Sequence, residues 1–212
     1  MTVGIVVAAV AVCVALLVTA EFRHQAVLKG VSKSSASAGF VLLGALVGLP
    51  SGSPAQLAVF VGLLFGAVGD LCLLSRDKRW FLAGLVSFLL NHVAYVVAFV
   101  LLGVEPVWAG LAAVPLAGFA WLVWRWLATR AGKLAGPVFA YIVVISGMVA
   151  CAVGTLGSAG PVLLVAAVLF FVSDLCVARD RFVSPGPENR LVGLPLYYSA
   201  QLLFAWGAGA LG

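Results

Sequence analysis

Two aspartates stand inside otherwise apolar stretches of the sequence and are its best candidates for chemistry. Asp70 belongs to the sequence GDLC at residues 69–72, and Asp174 belongs to SDLC at residues 173–176. Two carboxyls facing one cavity would repel each other, so one would keep its proton near neutral pH while the other stayed ionised. Such a pair supplies an acid and a base. Alternatively, each aspartate only forms an ion pair with the arginine that follows it, Arg76 or Arg179.

Further polar side chains fall within the same apolar sequence and are candidates for orienting a substrate or a water molecule. They are Asn91, His92, Tyr95, Tyr141, Ser173, Tyr197, Tyr198 and Gln201. Each also has a structural alternative, because a histidine within a membrane often only links helices and tyrosine is a common interfacial anchor. No HExxH or HxxxH motif includes His92, and the cysteines form no CxxC motif, so neither a metal nor a cofactor is predicted.

Composition indicates the environment of these residues. Of the 212 residues, 64% are hydrophobic and 9% are charged, and the mean hydropathy is +1.21. A soluble domain carries about a quarter charged residues, so hydrocarbon must be the solvent for much of this chain. Apolar stretches of roughly 15–22 residues without strand-like alternation favour helices over a barrel. The net charge of +5 does not predict nucleic-acid binding, because the basic residues lie in or beside short loops.

Hydropathy predicts an all-α bundle of eight transmembrane helices. The spans are expected at about 3–20, 36–50, 56–75, 81–102, 107–127, 136–155, 160–178 and 191–211. All 12 lysines and arginines then fall in or beside alternate loops, which the positive-inside rule places in the cytoplasm. An integral protein of a bacterial cell membrane is expected, with both ends of the chain on the non-cytoplasmic side. Each aspartate should lie roughly 5–8 Å inside the cytoplasmic end of its helix.

The two halves of the chain, about 1–104 and 105–212, are predicted to be repeats within one transmembrane domain. The two DLC motifs and the predicted span boundaries recur at nearly the same offset. Four spans in each half give parallel halves, related by an axis along the membrane normal. Such an axis would bring the third and seventh spans, and with them both carboxyls, to one cavity.

The chain resembles the YhhN-like lysoplasmalogenase family in three motifs: GD at 69–70, NHxxY at 91–95 and SD at 173–174. The resemblance covers essentially the whole chain. It implies hydrolysis of the vinyl-ether bond of lysoplasmalogens to a fatty aldehyde and a glycerophospho-alcohol, with Asp70 and Asp174 as the catalytic residues and no cofactor. That chemistry suits one protonated and one ionised carboxyl, because protonation at carbon gives an oxocarbenium ion that water captures.

The substrate and the reaction class leave alternatives open. A lysophospholipid in the bilayer would place its phosphate near the cytoplasmic arginines, which are Arg76, Arg79, Arg179 and Arg181. Another ether lipid or lysolipid is an alternative substrate. A small proton-coupled transporter would also contain intramembrane aspartates, a histidine and an internal repeat. A membrane protein without chemistry is the third alternative.

Overall fold

The computed structural model describes residues 1–49, 52–75 and 77–209, and within them the fold is helical throughout, without strands. The helices are α1 Thr2–Phe22, α2 Ala26–Val47, α3 Pro54–Cys72, α4 Lys78–Leu102, α5 Pro106–Ala131, α6 Ala135–Gly154, α7 Leu156–Ala159, α8 Pro161–Phe182 and α9 Pro187–Gly209. A 3-10 turn, Gly132–Leu134, joins α5 to α6, and α7 is a single turn. The predicted all-α membrane fold is therefore confirmed at this level.

Within these residues, six helical stretches are long and apolar enough to cross a membrane. One of them, Pro106–Gly154, comprises both α5 and α6, and α9 is not among the six. Eight helices of 19 to 26 residues nevertheless lie near the predicted positions. The count of eight spans stays a prediction.

The predicted start of the second span is wrong. Helix α2 begins at Ala26, ten residues before the expected position 36, so Lys33 lies inside a helix rather than in a loop. Hydropathy placed the start too late because this part of α2 contains lysine and serine. Lys33 and Ser37 are nevertheless buried, since they face other helices rather than lipid.

Helix boundaries follow local chemistry. Helices α3, α5 and α8 begin with proline, whose missing N–H costs nothing in the first helical turn. Asp77 caps α4 by accepting a hydrogen bond from the backbone N–H of Arg79 at 2.7 Å. Helix α4 ends at Leu102 and is followed by Gly103, whose φ of 88° favours glycine.

The bundle core is formed where α9 contacts α1, α2, α3 and α8, while α4 contacts α3 and α6. Its largest fully buried side chains include Phe40, Tyr95, Phe170, Tyr198 and Phe204. Helix α9 brings polar side chains to Asp70, and helix α4 brings one to Asp174.

Candidate functional site

Asp70, in the last turn of α3, is an almost completely buried carboxyl that contacts four side-chain donors. The Lys33 ammonium lies 3.1 Å from Oδ1. On Oδ2, Ser37 donates at 2.7 Å and Tyr197 at 2.9 Å, with Tyr198 further away at 3.4 Å. Both oxygens therefore have partners, and the side chain is only 2% exposed. An ammonium and several hydroxyl donors together favour an ionised carboxylate.

The hydroxyl hydrogens around Asp70 have competing acceptors. Ser37 also lies 3.0 Å from the backbone carbonyl of Lys33, and Tyr198 lies 3.4 Å from the same carbonyl. A hydroxyl has one hydrogen, so Ser37 donates along its shorter contact to the carboxylate. Tyr198 has no such short contact and is the weakest of the three hydroxyl donors.

Asp174, on α8, has a different and less charged environment. Tyr141 of α6 donates to Oδ2 at 2.7 Å, and His92 Nε2 of α4 lies 3.4 Å from the same oxygen. Its side chain is 16% exposed, compared with 2% for Asp70. Among the described residues, no lysine or arginine forms a salt bridge with Asp174.

The orientation of His92 determines how many protons this second site can hold. His92 Nδ1 lies 2.6 Å from the backbone carbonyl of Phe88. A carbonyl only accepts hydrogen bonds, so Nδ1 must carry a hydrogen. In the neutral ring, Nε2 then has a lone pair and can only accept; it carries a hydrogen only when the ring is charged. Nε2 has no hydrogen-bond partner of normal geometry within the described part of the chain, and Asp174 Oδ2 lies 3.4 Å from it. A favourable contact between Nε2 and Asp174 therefore needs one shared proton, either on the carboxyl or on the imidazole.

Aromatic rings lie between the two aspartates. The Phe170 ring is 4.3 Å from the His92 ring and 5.4 Å from the Tyr197 ring, measured between centroids. Tyr197 and His92 in turn contact Asp70 and Asp174. The two carboxyls thus have separate sets of polar partners, linked through one buried phenylalanine.

A third polar group joins α4 to α9 beside α3. The Gln201 amide donates to Asn91 Oδ1 at 3.2 Å and accepts from the Tyr95 hydroxyl. Glycines of α3 leave room for it, because a Cβ on Gly66 would lie 2.5 Å from the Gln201 amide nitrogen. A Cβ on Gly62 would similarly collide with the Tyr95 ring. These predicted candidates are buried and pack against α3, but they contact neither carboxyl.

Three of the remaining predicted side chains, those of Ser173, Arg179 and Arg181, have partners other than the two carboxyls. Ser173 donates to the backbone carbonyl of Phe170 at 2.8 Å, one turn earlier on its own helix. Arg181 stacks over the Phe81 ring at 4.0 Å, and Arg179 pairs with Glu188 at 3.3 Å. The alternative that Asp174 pairs with Arg179 is therefore wrong. Arg76 lies outside the described residues.

Two apolar grooves open on the outer surface of the bundle. One, of 390 Å³, lies between α5 and α8 with Arg179 in its wall. The other, of 580 Å³, lies between α3 and α4 with Arg79 in its wall. Neither of these two grooves is lined by Asp70 or Asp174.

The predicted depths of the two aspartates are also wrong. Helix α3 ends at Cys72, two residues after Asp70, whereas α8 continues to Phe182, eight residues after Asp174. At about 1.5 Å per residue, Asp70 is about 3 Å and Asp174 about 12 Å from the helix end. Hydropathy ended this span at residue 178, whereas α8 continues through the charged residues after it and ends at Phe182.

Sequence reasoning missed two residues of the site, Lys33 and Ser37. One signal was available: Ser37 precedes Asp70 by 33 residues, and Tyr141 precedes Asp174 by the same 33 residues. Both hydroxyls donate to their aspartate at 2.7 Å. Reading the repeat backwards from the aspartates would have identified Ser37, and Lys33 lies one helical turn before it.

Comparison with known proteins identifies the family to which this arrangement belongs. A model of the YhhN family matches residues 31–208. The chain belongs to the YhhN family. The resemblance inferred from the GD, NHxxY and SD motifs is thereby confirmed.

Named relatives of this YhhN-family chain include mammalian and mycobacterial proteins. It is 33% identical over 169 residues to lysoplasmalogenase TMEM86A of Bos taurus, which is 73% of this chain and 66% of that relative. It is 34% identical over 165 residues to lysoplasmalogenase TMEM86A of Homo sapiens, with the same coverage. It is 30% identical over 200 residues to a lysoplasmalogenase of Mycobacterium bovis, which is 88% of this chain and 72% of that relative. The chain spans just under two thirds of the length of the two mammalian relatives. No solved structure matches it.

Proposed function

We propose that this protein is a membrane-embedded hydrolase that cleaves the vinyl-ether bond of a lysoplasmalogen. The products are a fatty aldehyde and a glycerophospho-alcohol. Family membership and the names of the relatives support the reaction class. None of the relatives reported above is named as a transporter, so the transporter alternative has no support from them.

The observation that carries the mechanism is the contact between Asp174 and His92. Because His92 Nδ1 donates to a backbone carbonyl, a stable contact at Nε2 holds one proton between the imidazole and the carboxyl. Asp174 is also the more accessible of the two aspartates. A proton held in a largely buried site, with partial access from outside, suits general-acid catalysis.

In the proposed first step, Asp174 gives this proton to the vinyl carbon that does not carry the ether oxygen. The carbon–carbon double bond supplies the electron pair, and the positive charge develops on the other vinyl carbon and the ether oxygen. Tyr141 stabilises the resulting Asp174 carboxylate, because its hydroxyl already donates to Oδ2. Water then adds to the cationic carbon, and its proton returns to the Asp174–His92 pair. The hemiacetal collapses to the aldehyde and the alcohol.

Asp70 has a different proposed role. Both of its oxygens are occupied by donors, so it is poorly placed to accept a proton from water. As a fixed anion in a low-dielectric bundle, it would stabilise the cationic intermediate electrostatically. This division of labour assigns the protonated and the ionised member of the pair expected from the sequence, which left open which aspartate is which.

We further propose the finer architecture of eight spans in two parallel repeats. The donors support it: Asp70 of α3 contacts α2 and α9, while Asp174 of α8 contacts α6 and α4. If the halves are exchanged, α3 corresponds to α8, α2 to α6 and α9 to α4, so the partners of one aspartate become those of the other. The even number of spans, with most of the basic residues in or beside alternate loops, supports a non-cytoplasmic position for both ends of the chain.

The arginines at the cytoplasmic ends of the helices are proposed to hold the phosphate of the substrate. Arg79 and Arg179 each lie in the wall of an apolar groove, so a phosphate could bind there while an alkenyl chain follows the groove. The grooves are candidate routes for lipid entry rather than the place of reaction, because neither contains a carboxyl.

The test is aldehyde release by the purified protein in detergent. Choline and ethanolamine lysoplasmalogens should be cleaved, whereas the matched alkyl-ether lysolipid should not, because it has no double bond to protonate. In D₂O, the aldehyde should carry one deuterium on the carbon next to the carbonyl. A folded protein that releases no aldehyde from either lysoplasmalogen would overturn the proposal.

A further inference from the structure

Lys33 is a buried cation that the proposed reaction does not use. It lies inside α2, its side chain is 9% exposed, and its ammonium is 3.1 Å from Asp70 Oδ1. A lysine within a bundle of this kind is costly unless an anion neutralises it. Asp70 neutralises it, so the pair is buried as a unit.

The same residue also approaches the hydroxyl donors of Asp70. Its backbone carbonyl lies within 3.0 Å of Ser37 Oγ and 3.4 Å of the Tyr198 hydroxyl. Lys33 thus contacts the Asp70 cluster with both its charge and its backbone. Any change in the charge of Asp70 would be transmitted to this group of hydroxyls.

The two aspartates differ in the charged partner that each one faces. Ser37 and Tyr141 occupy corresponding positions, each 33 residues before its aspartate. Lys33 lies four residues before Ser37, while the residue four before Tyr141 is Pro137. Asp174 therefore faces a histidine where Asp70 faces an ammonium.

We propose that Lys33 is a positioning residue that keeps Asp70 ionised and thereby gives the two aspartates different roles. Facing Asp70 are Lys33 from α2 and the phenols Tyr197 and Tyr198 from α9. Helix α4 contributes Phe88 on this side, packed on the Tyr197 ring. Among the described groups that contact Asp70, Lys33 is therefore the source of positive charge. This inference deepens the proposed function and rests on it for its catalytic consequence, but the ionisation of Asp70 can be tested without any substrate.

The test is infrared difference spectroscopy of the purified full-length protein, which detects the C=O stretch of a protonated carboxyl. Replacing Asp70 by Asn should remove no such band, because Asp70 is ionised. In Lys33→Met a new band should appear, and it should vanish in the double variant Lys33→Met/Asp70→Asn. Loss of a protonated-carboxyl band in Asp70→Asn, or no new band in folded Lys33→Met, would overturn the proposal. Should Lys33→Met fail to fold, the comparison of wild type with Asp70→Asn still tests whether Asp70 is ionised, and a protonated-carboxyl band lost in Asp70→Asn overturns the proposal.

Aldehyde release tests whether the positive charge at position 33 is what activity needs. Lys33→Arg should keep at least a tenth of wild-type aldehyde release, while Lys33→Met should lose at least 100-fold. If Lys33 had only a structural role, the neutral double variant Lys33→Met/Asp70→Asn should regain activity once it is folded. If wild type releases no aldehyde, the proposed reaction fails, and the infrared spectra still decide whether Lys33 keeps Asp70 ionised.

Discussion

The two aspartates should respond very differently to the same substitution. In Asp174→Asn, Tyr141 and His92 Nε2 face the same Oδ2 position, so the amide keeps one of the two contacts: its oxygen accepts from Tyr141, or its nitrogen donates to Nε2. The fold should therefore lose only about 1 kcal/mol of stability, the size of an ordinary hydrogen bond. The amide has no acidic proton, however, so the chemical step should lose its general acid.

The size of the loss in activity follows from that missing proton. General-acid catalysis typically contributes about 100- to 10,000-fold to a rate, or roughly 3–5 kcal/mol of transition-state stabilisation. We expect kcat for aldehyde release to fall by that factor in Asp174→Asn. Asp70→Asn should instead strand the Lys33 ammonium in the bundle, and breaking such a buried pair costs roughly 3–5 kcal/mol.

Two measurements separate these outcomes: steady-state aldehyde release and thermal unfolding in the same detergent. The matched control is Asp77→Asn, which removes a carboxylate at the start of α4 but preserves a good helix cap, so both readouts should match wild type. Asp174→Asn with kcat within threefold of wild type would refute the assignment of the acid. Equal unfolding temperatures for Asp70→Asn and Asp174→Asn would refute the asymmetric electrostatics.

Three further predictions concern the neighbours of the site, the packing and the topology. Tyr141→Phe removes the donor to Asp174 and should lower kcat about 10- to 100-fold, since a hydrogen bond to a charged group contributes about 1.5–3 kcal/mol; an unchanged kcat would contradict the role of this hydroxyl. Gly66→Ala should destabilise the protein by about 1–3 kcal/mol in thermal unfolding, because its Cβ would collide with a buried amide. Gly110→Ala is its control and should be neutral or stabilising, because nothing among the described residues lies within 4 Å. A cysteine at Glu105, introduced after replacement of the native cysteines, should react with a membrane-impermeant thiol reagent added to intact cells; labelling only after permeabilisation would invert the proposed orientation.

Much of the fold could be predicted because it depends on local signals. Long apolar runs, prolines at helix starts and clustered charges locate most helices to within a few residues. The start of α2 could not be found in this way. Hydropathy treats Lys33 as a residue that must leave the membrane, whereas in the fold its charge is neutralised by Asp70, 37 positions later in the chain.

The site was only partly predictable for the same reason. Both aspartates, His92 and the tyrosines are recognisable as polar residues in apolar sequence, and the structure brings Tyr141 and His92 to Asp174 and both Tyr197 and Tyr198 to Asp70. Which donor meets which carboxyl depends on helix packing that no local pattern encodes. The ring of Phe170 between the two sites is equally invisible in the sequence, since one phenylalanine among 13 carries no distinguishing signal.

The ion pair between Lys33 and Asp70 also bears on how the protein is assembled during synthesis. Both partners belong to the first three helices and are therefore made long before α9, so they can enter the bilayer already neutralised. The phenols of α9 follow 127 and 128 positions after Asp70. During that interval the Lys33 and Asp70 pair lacks the hydroxyl donors of α9, and a ribosome stalled between α3 and α9 would leave behind an inserted but unfinished polypeptide. Chain termination in this window should yield fragments that membrane quality-control proteases recognise by their exposed polar helix faces.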